Sequence, residues 1–99
     1  MSDKSLIVNV DSEIAYWRDR SASAELAGHS FGDYVPIIKA SCDALLAYPD
    51  LDGDIRLSLF KPRFETMHPL PRVPWEQAAW LARSVWSHIE SGQQRSRPT

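Results

Sequence analysis

Residues 34–48 constrain the fold more than any other segment. Tyr34, Val35, Ile37, Ile38, Ala40, Cys42, Ala44, Leu45, Leu46, Ala47 and Tyr48 are apolar, and only Lys39 and Asp43 are charged, on one narrow strip. A helix apolar over most of its girth has to be covered on more than one side. This is therefore the central helix, and the rest of the chain must pack around it. Asp33 is its expected cap, which places Pro36 in the first turn, where a missing N–H costs nothing. Pro49 ends it.

Residues 75–90 supply the best-patterned partner. At about 100° per residue, Trp75, Ala78, Ala79, Leu81, Ala82, Val85, Trp86 and Ile89 fill an arc of roughly 160°. Pro74 suits the first turn. Glu76, Gln77, Arg83, Ser84, Ser87, His88 and Glu90 take the opposite arc, and Trp80 falls among them. Burial of a ring that size is worth about 1.5–3 kcal/mol or more, so Trp80 needs cover from this chain or from a partner. Trp75, Trp86 and Trp17 read as core.

A third helix is short, near residues 12–19, with Asp11 or Ser12 as its cap. Residues 55–60 are ambiguous. Ile55, Leu57 and Leu59 alternate with Arg56 and Ser58, which favours a strand. Only residues 6–10 could pair with it, and Pro62 stops either reading. Residues 68–74 form a proline-rich connector. With 99 residues the chain makes a single domain, with an ordered core at about 11–90 and flexible tails at 1–5 and 91–99.

Asp11 followed by Tyr16-Trp17-Arg18, then Phe31-Gly32-Asp33-Tyr34-Val35-Pro36, then Trp75, Ala78, Arg83 and Trp86, form an ordered set. It resembles the YWR … FxDYxPAY … WxxA … RxxW pattern of short uncharacterised bacterial proteins, some of them described as stress-associated. The chain departs from that pattern at Ile37-Ile38-Lys39-Ala40-Ser41, in the stretch 55–62, and at Trp80, where a small residue is usual. The resemblance implies a helix for the middle segment. The expected fold is thus mainly α, a small bundle of three to four helices; the alternative is α+β, pairing 6–10 with 55–60.

Candidate sites are few. Asp50, Asp52 and Asp54 flank Gly53, but neither possible register gives a calcium loop its glycine and its closing glutamate together, so an acidic turn is expected and no metal. His29, His68 and His88 have no ligand spacing and are expected in solvent. Cys42, in its apolar helix, is expected to be an inert buried thiol. Arg56, Lys61, Arg63 and Arg72, interleaved with Phe60 and Phe64, give residues 56–72 a basic bias that could hold a single strand of nucleic acid. Pro71-Arg72-Val73-Pro74 is a minimal PxxP match, read as a rigid linker.

A net charge of −2 argues against general nucleic-acid or membrane-surface binding, and no apolar run reaches the length of a bilayer span. Residues 6–10 are too short for a signal-peptide core, and one cysteine fits a reducing cytoplasm. No catalytic constellation or cofactor site stands out. The reading is a non-catalytic interaction or accessory protein, cytoplasmic, stress-associated by resemblance and a homodimer or other homo-oligomer. Trp80, Tyr16, Trp17, Phe60 and Phe64 are its interface candidates. The alternatives are a small enzyme or ligand binder using Cys42, His29 and His68, and a nucleic-acid adaptor using residues 56–72.

Overall fold

A computed structural model describes residues 8–20, 31–67 and 72–95 of the chain. Among them are four helices and no strand: α1 (Val10–Arg20), α2 (Phe31–Ala47), α3 (Gly53–Glu65) and α4 (Trp75–Arg95). They form a small helical bundle. α2 touches all three others, as its apolar girth requires. Its Tyr34, Ile37, Ile38, Cys42 and Leu45 are fully buried. α4 presents Ala78, Leu81, Ala82, Val85, Trp86 and Ile89 to the same core, and α1 adds Ile14 and Trp17. Each buried Ile, Leu or Val among them contributes about 1.5–3 kcal/mol on burial.

Side-chain pairs fix the helix directions. Asp43 meets Arg63 between α2 and α3. Phe64 meets Trp75 while Arg56 meets Glu90, so α3 and α4 run antiparallel. Trp17 meets Trp80 while Glu13 meets His88, so α1 and α4 are also antiparallel. The Trp86 indole donates to the Ser41 carbonyl at 2.8 Å, locking α4 to the middle of α2.

The strand alternative for 55–60 is corrected: this stretch is the first part of α3. Its buried face is Arg56, Phe60 and Phe64, four residues apart each time. Ile55 and Leu59 are exposed. Pro62 does not stop the helix; the carbonyl it leaves without an N–H belongs to exposed Ser58, open to water. Asp52 caps α3, accepting from the Asp54 N–H at 3.0 Å.

Other boundaries shift. α1 starts at Val10, two residues earlier than expected, because the Asn9 side chain accepts from the Ser12 N–H at 3.0 Å. α2 starts at Phe31, which puts Asp33 inside the first turn and Pro36 inside the helix. The acid there still opposes the positive end of the helix favourably. α4 continues to Arg95 instead of ending at Glu90. Residues 1–7, 21–30, 68–71 and 96–99 lie outside the described residues, and with them His29, His68, the first two residues of segment 6–10 and both chain ends.

Candidate functional site

The side chains of α1 and the outer face of α4 make a groove. Tyr16 and Trp17 form one wall, and Trp80, Arg83, Ser84, Ser87, His88 and Ser91 form the rest. Its anchor is Glu13. This carboxylate is only 7% exposed, yet it accepts from the Trp17 indole N–H at 3.2 Å and from His88 Nδ1 at 2.9 Å. A buried carboxylate persists where donors replace its water, as these two do. Because a carboxylate accepts, the His88 proton sits on Nδ1. The ring then stacks on Tyr16, with centroids 3.7 Å apart and planes inclined by 16°.

His88 is therefore not the free surface residue that the sequence suggested. It ties α4 to α1 through a partner 75 positions away. Neither residue signals the other locally, and that separation is why sequence reasoning missed the pair. Among the described residues no hydroxyl hydrogen-bonds to the second nitrogen of His88, and Ser84, Ser87 and Ser91 line the same groove.

Trp80 leans edge-on against Trp17, centroids 6.4 Å apart, and remains 40% exposed. α1 thus supplies part of the cover the sequence demanded, and one face of the indole stays open to the groove. Arg20 lies over both Tyr16 and Trp17, at 5.4 and 5.8 Å, which stiffens the wall.

The other interface candidates fare differently. Tyr16 is half-buried beneath His88. Trp17, Phe60 and Phe64 are buried within the chain, Trp17 with an edge in the wall of the groove. Phe60 fits between Trp75 and Trp86, at 6.1 and 6.2 Å. Aromatic size signalled contact, but the i+4 period through Arg56 turned both phenylalanines inward. Among the described residues, the exposed large apolar side chains besides Trp80 are Leu46, Tyr48, Ile55 and Leu59, around the α2–α3 hairpin.

The basic stretch is dispersed. Arg56 is buried, bonds to the carbonyls of Tyr48, Pro49 and Leu51 at 3.0–3.2 Å, and lies 4.9 Å from the Trp86 ring. Arg63 pairs with Asp43, and Lys61 sits over Trp75. Of the acidic turn, Asp52 is a cap and Asp54 pairs with Arg83. Cys42 is fully buried, and burial, aided by the charges of Glu13 and Asp43, pushes its thiol up to about 12. That removes it as a nucleophile near neutral pH.

Among the described residues, the fold and groove define a four-helix bundle with an aromatic, serine-lined face. No helix among the described residues is long and apolar enough to cross a membrane. The chain matches no known family model, no curated protein and no solved structure.

Proposed function

We propose that this chain is a non-catalytic interaction protein that works as a homo-oligomer through the Trp80 groove. One observation carries the reading: an indole 40% exposed on an otherwise polar helix face, held in place by Trp17 beside an open groove. A rigid, half-desolvated aromatic is the kind of side chain that anchors protein interfaces. The buried, high-pKa Cys42 weighs against an enzyme that uses this thiol. The dispersal of Arg56, Lys61 and Arg63 into in-chain contacts weighs against a nucleic-acid adaptor. The likeness to short bacterial, partly stress-associated proteins supports an accessory role, and the single buried thiol suits a reducing cytoplasm.

The test is mass in solution. Sedimentation equilibrium of the wild type is expected to give twice the chain mass or more, and Trp80→Ala to lower it toward a single chain with helix content unchanged. Leu59→Lys, on the hairpin face, serves as control and is expected to leave the mass alone. A monomeric wild type, or a mass that responds to Leu59→Lys and not to Trp80→Ala, removes the proposal.

A further inference from the structure

We infer that the second copy lays its α4 antiparallel across this one, with Arg83 of each copy paired to Glu90 of the other. The inference rests on the interaction reading above and adds the partner's direction and register. Along α4, Trp80, Ser84, Ser87 and Ser91 follow one another at intervals of four, three and four residues. That alternation is the seam of a two-helix contact. Trp80 stands proud at one end of the seam, and three short hydroxyl side chains follow it. One helix therefore carries both a knob and a slot.

Direction decides whether they meet. A parallel neighbour sets Trp80 against Trp80 and serine against serine, leaving the slot unfilled. An antiparallel neighbour sets each Trp80 over Ser91 of the second copy, and Ser84 over Ser87. A two-fold axis makes both contacts at once, as an isologous interface requires.

Charge gives an independent argument for the same register. Arg83 and Glu90 flank the seam on its α3 side, where both line one depression with Arg56, Trp86 and Ser87. Their side chains are each about half exposed. When Trp80 faces Ser91 across an antiparallel pair, Arg83 of one copy comes beside Glu90 of the other, and the symmetry repeats the contact. The in-chain partners do not block this. Arg83 holds Asp54 at the surface, and Glu90 touches Arg56 at a loose 3.7 Å, so each retains bonding capacity. A foreign partner would have no reason to match both the slot and this charge order, whereas a second copy matches both.

The experiment is a charge swap read by dimer dissociation. Arg83→Glu and Glu90→Arg are each expected to raise the dissociation constant about tenfold or more, since each sets like charges together twice. The double swap is expected to return it to within a few-fold of wild type. Within one chain the double swap breaks both native pairs, Arg83–Asp54 and Arg56–Glu90, and position 83 shares its depression with Arg56, so recovery is read as dimer dissociation and not as chain stability. A second readout is disulfide trapping. A mixture of Ser84→Cys and Ser87→Cys chains is expected to give mainly the mixed disulfide, with buried Cys42 not competing. Dominant homodisulfides, or a double swap that fails to recover, overturn the antiparallel register even where Trp80→Ala still dissociates the dimer. If Trp80→Ala changes nothing, the interaction reading itself falls.

Discussion

Cys42 sits in the middle of α2 with no exposed surface. Its apolar setting was legible from the Ile, Leu and Ala around it, because an inert thiol needs nothing but low dielectric. The consequence for stability follows from the direction of the shift. Burial first, then Glu13 and Asp43, raise the thiol from its ordinary 9.0 to about 12. The folded chain therefore holds this proton more tightly than the unfolded one. The stability this contributes is fully present below pH 9.0 and is lost as pH rises toward about 12. Over that window the loss is about 1.4 kcal/mol per pH unit. Tyr34, raised by burial and by Asp33, adds to it in the same sense above its own ordinary value. Cys42→Ala removes the cysteine's share and replaces it with a small, pH-independent packing loss. Urea unfolding at about pH 8 and about pH 10.5 is expected to show wild type losing more stability than the variant between the two. An unchanged difference between the two proteins would refute the assignment.

Among the elements, α4 was legible and α3 was not, for one physical reason. In α4 every buried position is apolar or aromatic, so the 3.6-residue period is visible. In α3 the buried positions are Arg56, Phe60 and Phe64, and the arginine hides the period. Exposed Ile55 and Leu59 then mimic the alternation of a strand. Arg56 earns its buried place by closing the α2–α3 turn: one guanidinium serves the carbonyls of Tyr48, Pro49 and Leu51. Its face also rests on Trp86, so the turn is fastened to α4. Arg56→Ala withdraws donors from three carbonyls at once and is expected to cost about 2–4 kcal/mol. Arg56→Lys keeps the charge but cannot fork across three acceptors, so it is expected to recover only part of the loss. Urea midpoints at constant m-value measure both. A change below about 0.5 kcal/mol for Arg56→Ala would mean that the turn closes without it.

For the whole molecule, the decisive relation is between α1 and α4, which only the fold reveals. The sequence placed Trp80 on the wrong face of its helix and could go no further, because Tyr16, Trp17 and Glu13 lie more than sixty residues away along the chain. Once α1 docks, Glu13 holds His88, Trp17 holds one edge of Trp80, and a groove opens along α4. If that groove is closed by a second copy, folding and association are linked. Unfolding then releases two chains from each dimer, so mass action makes stability depend on protein concentration. Each tenfold increase above the dissociation constant is worth about 1.4 kcal/mol per dimer. Spread over the unfolding entropy of two 99-residue chains, this is expected to raise Tm by about 3–5 °C per decade of concentration. Trp80→Ala is expected to flatten that dependence while lowering Tm only slightly at the most dilute end, because the ring it removes is already half in water there. Differential scanning calorimetry across two decades of concentration reads both slopes. A wild-type Tm that does not move with concentration would show that the unit that unfolds is a single chain, and the Trp80 face would then have no second copy upon it.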